Sequence, residues 1–456
     1  MSTKDERDLA RRLMGTNRFL KSRDERKRVG DAFCSSQNPH LKSTATLPSC
    51  KMPPATAISG SLKPPSGKCP LRATRETRQP KLQMESDGMT DSTIARKLVS
   101  AIGACALLLS SALQPALACT GIRLIAEDGT VVHARTLEFG LDLHSKIMIV
   151  PRGYARTGTT PDGKDGMKWK AKYASVGLDG AGLPVLFDGV NEKGLATGTF
   201  YFPTSAGYMP YAPSDAGKTI AQWEVGSYIL ENFASVDEVR ASIGNVVVPS
   251  VVFAGWGFAP EAHYIVHDPT GKTVVIEYVD GKLNIHDDPL GVITNSPNFD
   301  WHMTNLRNYV NFSMINVPPI KLGTVVLKPF GQGTGMLGMP GDFTPPSRFV
   351  RAVAFSQSVL PSKTGHDAII EAFHILNQFD IPKGSAREHA KDEHGNVVAD
   401  YTLWTSAIDL KAKQYFFRTY DNSEIRMIDL MKMNLDAKDI VKISIEGDER
   451  IRPINP

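Results

Sequence analysis

Cys119 has the clearest capacity for covalent chemistry in this sequence, because a predicted export signal ends directly before it. The other cysteines, Cys34, Cys50, Cys69 and Cys105, precede that point, so Cys119 alone would remain after cleavage. Exported proteins usually keep their cysteines as disulfide pairs. A single cysteine cannot pair internally, so it is either a reactive thiol or an attachment point.

The predicted signal peptide covers residues 89–118. Arg96 and Lys97 form a positive start, residues 98–113 are apolar, and Ala116-Leu117-Ala118 gives a small-residue cleavage site. The apolar stretch is shorter than the roughly 20 residues that span a bilayer comfortably. We therefore expect a periplasmic or secreted product with no stable membrane association after cleavage.

Residues 1–88 have the composition of a disordered segment. Charged runs such as DERKR (24–28), scattered Pro and Ser and the absence of sustained periodicity leave too little apolar surface to offset the entropy of ordering. A secretory signal normally opens a protein, so we interpret 1–88 as a disordered basic leader or a mis-assigned gene start, with translation beginning at or near Met89. A basic nucleic-acid-binding arm is the alternative interpretation.

Charge is unevenly distributed along the 456 residues, whose formal net charge is +4. Residues 1–88 carry roughly +9 when Lys and Arg are counted against Asp and Glu. The part that follows the signal is mildly acidic, at roughly −6 by the same count. This part gives no electrostatic reason to expect nucleic acid or an anionic membrane as a partner.

A cysteine at a new N-terminus carries a nucleophile and a base on one residue. The thiolate is the reactive form, and a nearby base has to accept the thiol proton. The α-amine of Cys119 would have a reference pKa of about 7.7–8, so part of it is neutral near that pH and within reach of its own sulfur. Cleavage after Ala118 would then activate the protein, because an amide nitrogen cannot act as this base.

Lipidation of the same cysteine is the competing interpretation. A lipoprotein signal usually has Leu three residues before the cysteine, whereas this sequence has Ala116. A strand-like run also follows Cys119 at once, without a flexible tether. The chemistry of the site alone leaves both a catalytic thiol and a lipid anchor open.

The elements that must position Cys119 alternate between strand and helix patterns. Residues 119–139 predict a hairpin around Asp128-Gly129, and residues 263–288 predict three further strands. Apolar residues with helical spacing predict helices over 219–233 and 366–379. A further helix is predicted to begin directly after Thr344, which would cap it. Residues 402–430 predict a closing meander. This order favours one α+β domain over 119–456, with antiparallel sheets and helices packed outside.

Several blocks resemble the choloylglycine hydrolase family, which comprises bile salt hydrolases and penicillin V acylases, over Cys119 to about Leu435. The blocks are CTGIRL (119–124), HARTLEFG (133–140), FDGVNEKGL (187–195), GVITNSPNFDWHMTNLRNYV (291–310) and GQGTGMLGMPGDFTPPSRFVR (331–351). The resemblance implies a four-layer αββα sandwich of the N-terminal-nucleophile hydrolase type. It also implies hydrolysis of linear amides and often a homotetramer.

The resemblance assigns roles to individual residues. Cys119 matches the nucleophile and Arg135 the arginine beside it, whose guanidinium would favour the thiolate. Asn295 matches the side-chain donor of the oxyanion hole, where losing one donor typically costs about 10²–10³ in rate. Arg348 matches the arginine of the SRF motif. It gains nothing from a helix N-terminus, so we expect a local anionic partner or a role toward substrate.

Two further positions distinguish this chain from parts of the family. Glu138 stands where the family usually has Asp near the thiol, so its carboxylate reaches one methylene further and could still hold the α-amine. Tyr201 stands where bile salt hydrolases typically have Asn and penicillin V acylases often have Tyr, and its backbone N–H would be the second oxyanion donor. This tyrosine favours penicillin V or acyl-homoserine lactones as substrates.

The sequence predicts no cofactor and no metal, because the ten histidines after the signal lack zinc-ligand spacing and no second cysteine remains there. We therefore interpret the protein as an exported cysteine amidase, similar to penicillin V acylases, whose partner is a small acyl-amide substrate. The alternatives are a bile salt hydrolase, or a non-catalytic lipoprotein anchored through Cys119.

Overall fold

The computed structural model describes residues 118–391 and 395–455. The leader (1–88) and the signal peptide up to residue 117 lie outside these residues, so both interpretations stay predictions. Within the described part, no helix combines the length and the apolar character that a membrane span needs.

The described residues form strands and short helices. The strands are β1 (Ala118–Ile125), β2 (Val131–Phe139), β3 (Lys146–Val150), β4 (Ala155–Thr159), β5 (Asp165–Lys170), β6 (Ser175–Leu178), β7 (Asp188–Asn191), β8 (Ala196–Tyr201), β9 (Ala262–His267), β10 (Thr273–Val279), β11 (Lys282–Asp287), β12 (Ile320–Leu322), β13 (Val325–Leu327), β14 (Ala386–Lys391), β15 (Val397–Asp409), β16 (Gln414–Thr419), β17 (Asn422–Asp429) and β18 (Val441–Ser444). The α-helices are α1 (Val225–Asn232), α2 (Val236–Ser242), α3 (Phe299–Asn305), α4 (Pro345–Ser358) and α5 (Gly365–Leu376).

Two antiparallel sheets make up most of the fold. One has the strand order β1-β2-β15-β16-β17, with β14 also paired to β15. The other has the order β11-β10-β9-β8-β7-β6-β3-β18. The strand pairs β4–β5 and β12–β13 form separate hairpins. The predicted hairpin over 119–139 is β1–β2, and the three strands predicted over 263–288 are β9 to β11, so both predictions are confirmed.

Alternation along the strands produces the layers. In β10, Val275 packs into the core between the two sheets, whereas Val274 and Ile276 pack with α1 and α2 on the outer face. On the other side, α4 and α5 cover the outer face of the six-stranded sheet, where their Phe349 and Phe373 are buried. The result is the αββα sandwich, of the α+β class, that the sequence predicted.

One helix start and one helix cap differ from the prediction. The helix expected over 219–233 begins at Val225, because the backbone of Thr219 and Ile220 is bonded to that of Val247 and nearby residues. Thr344 precedes α4 as predicted, but its side chain makes no capping bond to the helix and instead donates to Asp342. Neither difference moves Arg348, which lies in the first turns of α4.

Candidate active site

Cys119 lies at the beginning of β1 and is 2% exposed. In the β1–β2 register it is opposite Leu137, while Ala118 is opposite Glu138. Gly121 lets this strand approach the second sheet, because a Cβ there would lie 2.7 Å from the ring of Phe200. The close approach brings Cys119 next to residues from both sheets.

Arg348 reaches Cys119 from α4 and is completely buried. Its Nη1 donates to the carbonyl oxygen of Cys119 and also to Thr120 Oγ1, at 3.0 Å. Its Nη2 is 2.6 Å from Asn295 Oδ1. These partners are neutral oxygens, so the expected anionic partner is not a direct contact. Glu138 is an acid that acts on Arg348 without touching it. Burial lowers the pKa of Arg348, and the nearby Glu138 raises it.

Asn295 links the two sheets at the nucleophile. Its Oδ1 accepts from the backbone N of Cys119 at 2.9 Å, and its Nδ2 donates to the carbonyl oxygen of Tyr201 at 2.7 Å. An amide NH₂ has two donor hydrogens, so one remains for a substrate oxygen. The side chain is fully buried, and Arg348 fixes the orientation of its amide.

The backbone of Tyr201 faces the same space. Along β8, the N–H of Thr199 donates to Phe187, while the N–H of Phe202 points the other way, to Glu261 of the loop before β9. The N–H groups of successive residues point to alternate sides of a strand, so the N–H of Tyr201 points to the same side as that of Thr199. Its N–H therefore shares an edge with its carbonyl, which contacts Asn295. This places the predicted second oxyanion donor beside the first.

Arg135 lies on β2 on the same face as Cys119 and is fully buried. Its guanidinium lies 4.1 Å from the ring centroid of Phe200 and 5.2 Å from that of Trp404. Its Nη1 donates to the carbonyl of Thr199 at 2.6 Å. Aromatic faces and carbonyl dipoles thus hold a cation two residue pairs along the β1–β2 ladder from the thiol.

Burial outweighs these cations at the thiol. It raises the pKa of Cys119, and Arg135 and Arg348 lower that pKa by less. Arg135 thus favours the thiolate, as expected, but burial has the larger effect. The thiol is protonated in the described chain, so a base is needed to activate it.

The carboxyl group of Glu138 is buried, and Glu138 lies opposite Ala118 in the strand register. Its Oε1 accepts from Thr402 Oγ1 at 3.0 Å, and its Oε2 is buried without a hydrogen-bond partner in the described part of the chain. Burial raises its pKa to about 7, although Arg348 opposes the shift. Because Ala118 is opposite Glu138 in the strand register, removal of Ala118 opens space beside Glu138.

The raised pKa of Glu138 predicts a pH-dependent stability. Below pH 4.5 the carboxyl is neutral in both the folded and the unfolded chain, and above about pH 7 it is ionised in both. Between these values the unfolded chain ionises first, so stability is lost as pH rises, by about 3 kcal/mol in total. We expect Glu138→Gln to abolish this loss.

The measurement is urea unfolding of wild type and Glu138→Gln at pH 4.5 and pH 7.5, both with the Ala118–Cys119 bond intact. The difference between the two proteins cancels contributions from other titrating groups. An identical pH dependence in both would show that folding does not raise the pKa of Glu138.

An apolar groove opens on Cys119. Phe139, Phe187, Trp223 and Trp256 contribute to its walls, which also include Leu137, Leu143, Leu183 and Phe253. Trp256 stacks on Phe258 and packs edge-on against Phe253, so aromatic rings hold the 253–258 turn together. Such a groove fits an apolar acyl group.

The structure brings together Cys119, Arg135, Glu138, Tyr201, Asn295 and Arg348, all six residues predicted for the site. The sequence did not indicate the groove residues or the Thr402 partner of Glu138. A signal for the groove existed in FAGWGF (253–258), where aromatic residues alternate with small ones. Across 118–391 and 395–455, no group of three or more His, Cys, Asp or Glu could hold a metal ion.

Residues 119–443 match the family model described as linear amide C–N hydrolases, choloylglycine hydrolase family. The chain is 35% identical to the bile salt hydrolase/transferase of Clostridium perfringens over 326 residues, which cover 71% of this chain and 95% of that protein. The chain therefore belongs to the choloylglycine hydrolase family and is a linear amide C–N hydrolase. The predicted family and enzyme class are confirmed.

Solved structures agree with the fold. A variant of the conjugated bile acid hydrolase from Clostridium perfringens superposes with a TM-score of 0.65 at 33% identity, covering 74% of this chain and 100% of that one. The penicillin V acylase from Agrobacterium tumefaciens gives a TM-score of 0.57 at 25% identity, covering 72% of this chain and 91% of that one. A conjugated bile acid hydrolase and a penicillin V acylase thus both have this fold.

Proposed function

We propose that the protein is an exported cysteine amidase, similar to penicillin V acylases, that acts on penicillin V or acyl-homoserine lactone type substrates. The observation that carries this proposal is a buried Cys119, in contact with Asn295 and Arg348, on the wall of an apolar groove. The match to the family begins at this same residue, which supports cleavage after Ala118 and an N-terminal thiol. A periplasmic or secreted location follows from the predicted signal.

The proposed reaction has two halves. The α-amine of Cys119 takes the thiol proton, and the sulfur attacks the amide carbonyl carbon. The negative charge formed on oxygen is bound by Asn295 Nδ2 and the N–H of Tyr201. When the C–N bond breaks, the α-ammonium gives its proton to the leaving amine. Water then attacks the thioester with the amine as base, and the acid and the free thiol are released.

The groove supports a slim acyl group. Aromatic side chains, among them Trp223 and Trp256, line the groove and leave it narrow. An alkyl chain or a single ring needs less rearrangement to enter than four fused steroid rings. This favours an aliphatic or phenoxy acyl group over a bile acid.

Two acidic side chains near Tyr201, Asp400 and Glu261, support an uncharged leaving group. Asp400 is 6% exposed, and its Oδ1 has no hydrogen-bond partner among the described residues. It lies beside Gly140, where a Cβ would be 3.1 Å from Oδ1. Asp400 and Glu261 both act on the Tyr201 hydroxyl, whose pKa is raised by burial and by these two acids. Burial raises the pKa of Asp400 to about 7, so above that pH a lactone meets less repulsion here than the carboxylate on the amine side of penicillin V or glycocholate. Of the two proposed substrate types, the charges therefore favour the lactone over penicillin V.

The test is a substrate panel on protein that begins at Cys119. It contains an acyl-homoserine lactone, the ring-opened acid with the same acyl chain, penicillin V and glycocholate. We expect the highest kcat/KM on the lactone, and a value at least tenfold lower on its ring-opened acid. Equal values for the lactone and the acid would contradict the charge argument.

Bile salt hydrolysis is the second candidate, because the chain is 35% identical to a bile salt hydrolase/transferase. Glycocholate as the best substrate in the panel would establish this candidate instead. The third candidate, a lipoprotein without catalysis, predicts a diacylglyceryl adduct on Cys119. Mass spectrometry of the mature N-terminus distinguishes that adduct from a free cysteine.

We also propose that the protein forms a homotetramer. An exposed apolar segment, residues 310–337, supports this proposal, since Val310, Ile315 and Leu337 are 84%, 73% and 82% exposed. The segment includes the β12–β13 hairpin, whose six residues are all exposed. Contiguous exposed apolar surface is typical of protein interfaces, and light scattering of the mature protein tests the assembly.

A further inference from the structure

Two buried histidines bind consecutive carbonyl groups of the segment that carries Asn295. His263 Nε2 lies 3.1 Å from the carbonyl oxygen of Thr294, and His302 Nε2 lies 2.9 Å from that of Asn295 itself. The two histidines are 1% and 2% exposed. Sequence reasoning discounted both as metal ligands, and their contacts give them another role.

Glu277 holds His263 in this orientation. Its Oε1 lies 3.1 Å from His263 Nδ1 and also accepts from the backbone N of Phe299 at 2.9 Å, at the start of α3. Burial raises the pKa of Glu277, but hydrogen bonds from His263 and His286 outweigh it and bring the pKa to about 2. A carboxylate and a carbonyl can only accept, so His263 donates from both ring nitrogens.

His302 is held differently. Its ring stacks on Phe349 of α4 with centroids 4.6 Å apart. Burial lowers its pKa to about 4, so it is neutral near pH 7 and uses its Nε2 proton to donate to Asn295. The two histidines thus reach consecutive carbonyl groups from two different elements, His263 from β9 of the second sheet and His302 from α3.

The remaining contacts fix the ends of the segment. Ile293 exchanges backbone hydrogen bonds of 2.8 and 3.1 Å with Gly121 of β1, and Ser296 Oγ donates to the carbonyl of Pro203. Each residue from 293 to 296 therefore has a defined backbone or side-chain anchor. A tilt of the Thr294–Asn295 peptide is the change that would swing Asn295 Nδ2 away from the Tyr201 edge.

We propose that His263, supported by Glu277, is a positioning residue that sets the direction of Asn295 toward the oxyanion. His302 has the same function through its contact with the carbonyl group of Asn295. The inference rests on the oxyanion role of Asn295 given under the proposed function. Misplacement of a catalytic group by about 1 Å can cost about 10²-fold in rate, so kcat is the sensitive quantity.

The test compares His263→Phe with His263→Gln. Phenylalanine keeps a ring to stack on Phe202, which lies 4.3 Å from His263, but loses both donors. Glutamine keeps one donor. We expect His263→Phe to lower kcat ten- to a hundredfold with KM within twofold, and His263→Gln to restore part of the loss. His267→Phe is the control, because His267 is buried in the same strand and bonds Thr273 instead.

A double-mutant cycle separates positioning from general stability. In an Asn295→Ala background, His263→Phe should change kcat less than twofold, because the group it positions is gone. The same loss in both backgrounds, or an equal loss in His267→Phe, would overturn the proposal. If His263→Phe does not fold, His302→Phe leaves no unpaired charge and has to give the same pattern.

Hydrogen exchange keeps this test independent of the substrate proposal. Amides of residues 292–300 should exchange faster in His263→Phe than in wild type and His267→Phe. Unchanged exchange would overturn the positioning role. If wild type hydrolyses no amide in the panel while exchange changes as expected, the proposed function fails and the positioning of the segment stands.

Discussion

Cys119→Ala protein that begins at residue 119 is expected to hydrolyse amides at least about 10³-fold more slowly than wild type while keeping its fold. In a comparable hydrolase, removal of the nucleophile costs about 10⁶ in kcat. Cys119 is the thiol on the groove wall, and Asn295 and Arg348 bind its backbone rather than its sulfur. The substitution therefore leaves the framework of the site intact.

The effect of Cys119→Ala on the free energy of unfolding should be small. Replacing the buried sulfur by hydrogen removes about one methylene equivalent of apolar volume, which corresponds to roughly 1 kcal/mol. Thermal unfolding of Cys119→Ala is the control for folding, and Cys119→Ser should unfold close to wild type while also losing most turnover. Turnover retained by correctly trimmed Cys119→Ala would rule out the thiol as the nucleophile.

Local patterns were sufficient for the strands β1, β2 and β9 to β11, whereas the site residues were assigned by the resemblance to the family. Period-2 alternation with Asp-Gly at 128–129 defines β1 and β2, and with them the spacing of Cys119 and Arg135 on one face. The start of α1 was predicted too early, at residue 219. Periodicity near residue 220 does not report the tertiary hydrogen bonds between this backbone and that of Val247.

The state of the groups in the site depends on burial, which no local pattern reports. The sequence places two arginines near the thiol, but only the folded chain shows that burial outweighs them. Thr402 lies 264 positions from the glutamate that it contacts, and His263 lies 31 positions from the carbonyl that it binds. Such pairs are fixed by sheet pairing and by the packing of α3, not by spacing along the chain.

Protein that retains Ala118 is expected to be about 10²–10⁴-fold less active than protein that begins at Cys119, which is the contribution typical of a general base. With the bond intact, the nitrogen of Cys119 is an amide that donates to Asn295 Oδ1 at 2.9 Å. An amide nitrogen cannot accept the thiol proton, and burial keeps that thiol protonated. Ala118 also lies opposite Glu138 and is 9% exposed, so it fills the space next to that carboxyl.

The sharpest comparison uses two proteins that differ by one alanine. Both are made with an initiator methionine that is removed, one ahead of Cys119 and one ahead of Ala118, and mass spectrometry verifies each N-terminus. Alkylation by iodoacetamide under denaturing conditions confirms an intact thiol in both. The Cys119 protein should gain activity as pH rises through about 8, the reference pKa of an α-amine. If the Ala118 protein turns over equally fast with its alanine still attached, the nitrogen of Cys119 is not the base, and Glu138 becomes the group to test in its place.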